Sequence, residues 1–278
     1  MSKNKIYFFT FGDSNFTLQK KHLTKLADYS NFFDNIFSFS PKDIDKNFYE
    51  NFKVILNQER GAGYWLWKYY FIKNIMEDSN KGDIVIYLDA GSSINYHAQK
   101  RYKDYIDILN SSEYGSISFN EMDYNLEVKW TTKEILSYFK CENDESILKS
   151  PQLNASALLF KNSEHTNDYL EEFIKTINYD PYLITDKYEK NQNEAFIENR
   201  HDQSISSIIK KIHGTHLLEN ENQFQDNLEK QYDFPFLTVR RKGYGFRDKL
   251  NFNLFPNKFG KQIQYFETSK QPRFKHTN

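Results

Sequence analysis

The sequence predicts an α/β fold with a mixed, largely parallel sheet flanked by helices. Residues 5–11, KIYFFTF, form a continuous apolar run that ends at a glycine, and residues 82–91, GDIVIYLDAG, contain a second such run. A strand that is apolar on both alternating faces needs helices on both sides of its sheet. Segments with helical periodicity separate these runs, and the alternation of strand and helix favours parallel pairing.

The remaining elements are predicted in chain order from periodicity and turn residues. The predicted strands after the first are 35–41, which stops at Pro41, then 51–57, 83–89, 115–119 and 154–160. The predicted helices run from Leu18 to Tyr29, from Tyr64 through Ile75, and over 131–140, 164–178 and 200–214. We expect one domain over residues 1–217 and a polar C-terminal extension, residues 218–278, that packs on it.

Composition limits the classes of partner. Lysine and arginine number 37 and aspartate and glutamate 38, so the chain has no overall field to attract nucleic acid or an anionic membrane. Cys141 is the one cysteine, which is typical of a reducing compartment and excludes an internal disulfide. No apolar stretch approaches the ~20 residues of a membrane span. We expect a cytoplasmic protein that meets the inner face of the membrane at most peripherally.

Asp89 ends the most apolar predicted strand. Ligands of open α/β sheets collect beyond the carboxyl ends of the strands. A carboxylate at such a position needs a partner, and a divalent cation or an arginine is the usual one. Gly91 would allow a ligand to approach the backbone closely. The alternative is that Asp89 only caps the following turn.

The stretch RGAGYWLWK, residues 60–68, directly precedes this strand. Gly61 and Gly63 would let the backbone turn sharply and point amide groups outward at a helix start, which is an anion site. Arg60 and Lys68 could add positive charge. Trp65, like the neighbouring tryptophan at position 67, could line a ligand or fill the core, and the glycines could form only a tight turn.

A second polar cluster stands at the predicted start of the 200–214 helix. Asp202 could be an ordinary first-turn carboxylate, but Arg200, His201 and Gln203 add three further polar side chains at the same helix entrance. Beyond this helix, His216 could join a metal held by Asp89, and it could equally be structural. The basic segment 240–249 could close over phosphates or be a solvated surface.

Taken in order, KIYFFTFGD, RGAGYWLWK, GDIVIYLDAG, NASALLF and RHDQSI resemble the GT-A-type glycosyltransferases of bacterial surface-polysaccharide and large-virus origin. The resemblance covers about residues 3–217. It implies a Rossmann-like sandwich that binds a nucleotide-diphosphate sugar, with Mn²⁺ or Mg²⁺ held by an Asp-X-Asp motif. That position reads Asp-Ala-Gly here, so Asp89 matches the motif and Gly91 replaces its second carboxylate.

The resemblance also implies roles for individual residues. Gly12 and Asp13 would lie near the nucleoside, the glycine turn would face the nucleotide-sugar, and Asp89 would hold the diphosphate through a cation. Asp202 would lie near the anomeric carbon, as a general base if the configuration inverts or as a stabiliser of an oxocarbenium-like centre if it is retained. The side chains expected to contact the sugar or the acceptor are Asn154, His201 and Gln203.

The activity implied is transfer of a sugar from a nucleotide-sugar donor to a hydroxyl of a glycan or glycolipid acceptor, in capsule or lipopolysaccharide assembly. The alternative is a non-catalytic carbohydrate- or nucleotide-binding protein whose aromatic side chains stack on sugar rings. Nucleic-acid binding is disfavoured by the net charge of −1.

Overall fold

A computed structural model describes residues 4–223 and 232–239 of the chain. Its strands are β1 (Ile6–Phe11), β2 (Asn35–Phe39), β3 (Ile84–Leu88), β4 (Ser93–Ile94), β5 (Ser116–Phe119), β6 (Ala157–Lys161), β7 (His216–Leu218) and β8 (Phe236–Leu237). Its helices are α1 (Thr17–Ser30), α2 (Lys46–Leu56), α3 (Gly61–Tyr64), α4 (Trp67–Glu77), α5 (Gln99–Ser111), α6 (Glu127–Trp130), α7 (Lys133–Tyr138), α8 (Glu145–Leu148), α9 (Glu164–Tyr179) and α10 (Asp202–His213).

Six strands form the central sheet in the order β2-β1-β3-β6-β5-β7. All of its neighbouring pairs are parallel except the two that involve β6, which runs against both β3 and β5. The mixed, largely parallel sheet predicted from the sequence is therefore confirmed. Because β6 is reversed, its amino end lies beside the carboxyl ends of β3 and β5.

Side chains alternate between the two faces of the sheet, and each face has its own core. Phe9 and Phe11 of β1 join one buried cluster with α2, α3, α4, α7, α9 and α10. Ile6 and Phe8 of the same strand join a second cluster with α1, α5 and β8. This alternation with a period of two residues explains why the strand reads as a continuous apolar run. The sheet is thus covered by helices on both faces.

The predicted strand at 51–57 is wrong, because these residues belong to α2. Asp45 caps this helix by accepting hydrogen bonds from the amides of Asn47 and Phe48. Phe52 and Ile55, three positions apart, are the residues that α2 buries. A short apolar run cannot by itself distinguish a buried strand from one helical face.

The described part of the C-terminal extension contacts the main body through β8. This strand pairs with β4, and Phe236 is buried in the second cluster. The basic segment 240–249 lies outside the described residues. Within the described ranges, no helix combines the length and the apolar character that crossing a bilayer requires.

Candidate active site

The glycine-rich stretch before α4 forms a left-handed turn. Five consecutive residues have positive φ, namely Gly61 (61°), Ala62 (50°), Gly63 (98°), Tyr64 (51°) and Trp65 (61°). Left-handed helical backbone costs about 1–2 kcal/mol for each residue that carries a Cβ atom. Three of the five carry one, so the surrounding structure must hold this turn in place.

Four of the five amides in the turn are already bonded and do not point to an anion, contrary to the expectation from the sequence. The amides of residues 62–66 all donate to backbone carbonyls within the stretch from Gln58 to Gly63, at 2.8–3.3 Å. The predicted helix start at Tyr64 also moves to Trp67. The glycines instead permit a backbone reversal that places Lys68 in the second position of α4.

Lys68 lies at the centre of the site. Its ammonium Nζ is 3.0 Å from Asp202 Oδ2, 3.5 Å from Asp89 Oδ1 and 3.0 Å from the carbonyl oxygen of Ala155. These three acceptors match the three N–H donors of an ammonium group. The Lys68 side chain is 3% exposed. Burial alone would lower the pKa of Lys68, but the charges of Asp202 and Asp89 outweigh it and raise that pKa, so the lysine stays protonated.

Asp89 is the accessible carboxylate of the cluster. It follows β3 directly, and its side chain is 35% exposed, against 4% for Asp202. Besides Lys68, its Oδ1 accepts a hydrogen bond from the Tyr87 hydroxyl at 2.5 Å. Side chains two positions apart in an extended chain point to the same side. Protein groups therefore hold Oδ1 of Asp89, while the rest of the carboxylate is partly open to solvent.

Asp202 begins α10 and pairs with Lys68. Burial raises the pKa of Asp202 to about 6, although the nearby charge of Lys68 opposes the increase. The carboxylate is thus ionised near neutral pH and protonates in mild acid. The helix dipole also stabilises a negative charge in the first turn. The ion pair with Lys68 is nevertheless the larger constraint on this buried side chain.

The predicted sugar contacts Gln203 and Asn154 shape the amino end of β6. Gln203 Oε1 accepts from the Ala155 amide at 3.2 Å, and Asn154 Oδ1 accepts from the Ser156 amide at 2.9 Å. Asn154 Nδ2 also donates to Glu121 Oε1 at 2.8 Å. These side chains fix the loop that carries the Ala155 carbonyl to Lys68.

His201 supports the entrance of α10. Its backbone has φ 59° and ψ −119°, and its ring is 2% exposed beneath Tyr64 and Trp65. Burial, followed by the positive charge of Arg60, lowers the pKa of His201 to about 4. The neutral ring donates from Nδ1 to the Ile184 carbonyl at 2.9 Å. Protein groups therefore enclose this imidazole.

Arg60 pairs with carboxylates of the loop before α10, and these are not the carboxylates that hold Lys68. Its guanidinium is 3.1 Å from Asp186 and 3.5 Å from Glu198, and all three side chains are partly exposed. Trp65 is half-buried, with its ring centroid 5.8 Å from Lys68 Nζ. The following tryptophan, Trp67, is buried and stacks on Phe11 at 3.8 Å between ring centroids, so it fills the core.

Gly12 and Asp13 lie at the carboxyl end of β1, on the same edge of the sheet as Asp89. A Cβ atom on Gly12 would come within 2.6 Å of Phe16 Cβ. Asp13 accepts from the Asn15 amide at 2.8 Å and so caps the turn that leads into α1. Both have local structural roles, and their contact with a nucleoside stays a prediction.

The structure does not bring His216 to Asp89. His216 pairs with Ile117 of β5, and β7 is three strands from β3 in the sheet. At about 4.8 Å per strand the separation is about 14 Å, too far for two ligands of one ion. Gly91, in the turn after Asp89 and buried, has no side chain to offer.

A divalent cation of the kind that the resemblance implies does not fit the carboxylates present. No group of three or more His, Cys, Asp or Glu side chains suited to a metal occurs within residues 4–223 and 232–239. Asp202 is occupied by Lys68, and Asp89 Oδ1 by Lys68 and Tyr87. Both carboxylates therefore already have an ammonium group as their cation.

Two groups that contact the charged cluster were not predicted from the sequence. Tyr87 could have been found from strand alternation, since it lies two residues before Asp89. The Ala155 carbonyl could not, because any residue supplies a backbone oxygen and only the reversed course of β6 brings this one to Lys68.

This mixed, largely parallel sheet with helices on both faces is the GT-A-type glycosyltransferase fold, which confirms the fold expected from the resemblance. The chain is similar to a glycosyltransferase involved in the glycosylation of the major capsid of PBCV-1, with 11% identity and a TM-score of 0.51, covering 95% of this chain and 99% of that one. It is also similar to the bifunctional glycosyltransferase WbbM, with 8% identity and a TM-score of 0.54. That match covers 96% of this chain and 50% of WbbM. No protein-family model and no curated protein matches the sequence.

Proposed function

We propose that this protein is a glycosyltransferase that moves a sugar from a nucleotide-diphosphate donor to a hydroxyl of a glycan or glycolipid acceptor. The observation that carries the proposal is the cluster of Asp89, Lys68 and Asp202 at the carboxyl edge of the sheet. Ligands of α/β sheets bind at this edge, and the fold is shared with the two glycosyltransferases above.

In the proposed reaction the bond between the anomeric carbon and the diphosphate oxygen breaks. The acceptor oxygen bonds to that carbon, and the hydroxyl proton leaves. Asp89, the accessible carboxylate, contacts the donor. Asp202, ionised above about pH 6, takes the proton if the configuration inverts. If the configuration is retained, Asp202 stabilises the oxocarbenium-like centre and the proton passes to an oxygen of the departing diphosphate.

The acceptor belongs, in this proposal, to a surface glycan such as a capsule or a lipopolysaccharide. The resemblance to surface-polysaccharide enzymes supports this assignment. So does the similarity to a glycosyltransferase involved in the glycosylation of the major capsid of PBCV-1, which is a surface acceptor. A cytoplasmic location, with peripheral contact at the inner face of the membrane for a glycolipid acceptor, is part of the same proposal.

The test compares Asp89→Asn and Asp202→Asn with the wild-type protein on a panel of nucleotide-sugars, with release of the nucleoside diphosphate as the readout. We expect each variant to lose about 10²-fold or more of its turnover, since removing one preorganised electrostatic group costs about that much. Circular dichroism should show an intact fold. Asp107→Asn, an exposed carboxylate on α5, is the matched control and should behave as wild type.

Near-normal turnover by either variant would remove that residue from the mechanism. If no donor is turned over and free sugars alone stabilise the protein in a thermal-shift assay, the protein is a carbohydrate-binding module and the transferase proposal fails.

A further inference from the structure

The contacts around Lys68 are those that a bound cation would make. Two carboxylate oxygens and one carbonyl oxygen surround Nζ at 3.0–3.5 Å. Carboxylate and carbonyl oxygens are also the ligands that hard divalent cations take. The rings of Trp65 and Tyr87 have their centroids 5.8 Å and 5.2 Å from Nζ, a distance at which aromatic faces attract an ammonium group.

The charges at the site balance differently from those of an Asp-X-Asp motif. Asp89 and Asp202 contribute two negative charges, and Lys68 cancels one of them. The second motif position is Gly91, which adds none. A divalent ion approaching Asp89 would meet an ammonium group already 3.5 Å from Oδ1 and would be repelled by it.

Lys68 is built into this position and cannot leave it easily. Its side chain is 3% exposed and extends from α4, which packs against β3 through the first cluster. The left-handed turn before α4 fixes where the helix begins. The ammonium group is therefore a permanent feature of the fold.

We infer that Lys68 occupies the place of a divalent cation between Asp89 and Asp202, so that these carboxylates bind no metal and the transfer proceeds without one. Lys68 is a positioning residue, since its three donors are directed at protein acceptors and it acts through the two carboxylates. The catalytic part of this inference rests on the proposed function. The metal-binding part does not.

The experiment titrates chelator-treated protein with Mn²⁺ and follows the free ion by electron paramagnetic resonance, without any substrate. Wild-type protein should show no saturable site that Asp89→Asn removes. Lys68→Met leaves two facing carboxylates with no cation, and we expect it to bind Mn²⁺ at least about 10-fold more tightly than wild type, a change of the size that altered metal surroundings cause. Lys68→Arg, which keeps the positive charge, should not gain this binding.

Two further measurements connect the gain to the site and to the reaction. The double variant Lys68→Met/Asp202→Asn should lose the acquired Mn²⁺ binding. With a donor identified, the wild-type rate should be unchanged by EDTA.

A wild-type Mn²⁺ site that Asp89→Asn abolishes, or a rate that EDTA removes and Mn²⁺ restores, would overturn the inference. So would a folded Lys68→Met protein that binds no more Mn²⁺ than wild type. If Lys68→Met does not fold, the wild-type titration decides alone. Failure to turn over any donor would count against the proposed function. It would not affect the conclusion from the Mn²⁺ titration, which uses no substrate.

Discussion

Lys210 offers the most quantitative test of the structure. It lies in α10, is 2% exposed, and its Nζ has no hydrogen-bond partner among the described residues. The ring centroids of Phe160 and Tyr169 are 5.1 Å and 5.8 Å away. Burial lowers the pKa of Lys210 from its ordinary value of 10.5 to about 7, and the charge of Asp202 only partly opposes this. We therefore expect Lys210→Met to stabilise the fold.

The size of the effect follows from the pKa. One pKa unit corresponds to about 1.4 kcal/mol, so lowering the pKa from 10.5 to about 7 costs about 4–5 kcal/mol of unfolding free energy when the lysine is protonated. Attraction to the two rings offsets about 1–2 kcal/mol. Lys210→Met, which keeps the length and removes the charge, should therefore raise the free energy of unfolding at pH 7 by about 2–4 kcal/mol.

The pH dependence gives an independent check. Because the folded-state pKa is lowered, the cost of burying the ammonium group is absent above about pH 10.5, grows as the pH falls, and is complete below about pH 7. Wild-type stability should rise by about 1–2 kcal/mol between pH 7 and 8.5, and Lys210→Met should lack this rise. Urea unfolding at both pH values measures the two quantities.

Lys103→Met makes the same substitution at an exposed position of α5 and serves as the control, with an expected change within about 0.5 kcal/mol. If Lys210→Met is no more stable than wild type at pH 7, or if it keeps the wild-type pH dependence, the ammonium group is solvated or paired and the reasoning is refuted.

Two other predictions concern the backbone and the titration of the site. Gly63→Ala should lower the free energy of unfolding by about 2 kcal/mol or more, because its φ is 98° and the new Cβ would lie 2.7 Å from Leu56 Cα. Gly82→Ala, with φ 95° but only the Asn4 side chain nearby at 3.3 Å, should cost less, and equal losses in urea unfolding would contradict the clash. Because the pKa of Asp202 is about 6, kcat/KM should fall below about pH 6, and a flat profile from pH 5 to 8 would exclude this carboxylate as the titrating group.

The positions of the two carboxylates were predictable because they depend on local pattern. A continuous apolar run that ends in a carboxylate identifies β3 and Asp89, and the isoleucine face that follows Asp202 identifies the start of α10. Both carboxylates could therefore be selected from the sequence. Their common partner, Lys68, was also selected, but as a donor of charge to a phosphate.

The ion pairs between Lys68 and the two carboxylates were not predictable, because they depend on where α4 begins. Helical spacing places Tyr64 and Trp67 on one face and is compatible with a helix that starts at either residue. Glycines at 61 and 63 indicate a turn but do not reveal that Ala62, Tyr64 and Trp65 also adopt positive φ. The left-handed turn is a tertiary outcome that local propensity disfavours.

The strain in that turn and the charge balance of the site are linked. The three residues that carry a Cβ atom cost about 3–6 kcal/mol in left-handed backbone, and contacts beyond the turn must offset this. Trp67 supplies two of them, by donating from Nε1 to the Gly61 carbonyl at 2.9 Å and by stacking on Phe11 of β1. Lys68 follows Trp67 directly, so the contacts that hold the turn also hold the ammonium group between the carboxylates. A relaxed turn would shift the start of α4 and leave Asp202 buried without its counter-charge, which costs about 3–5 kcal/mol and is of the same size as the strain.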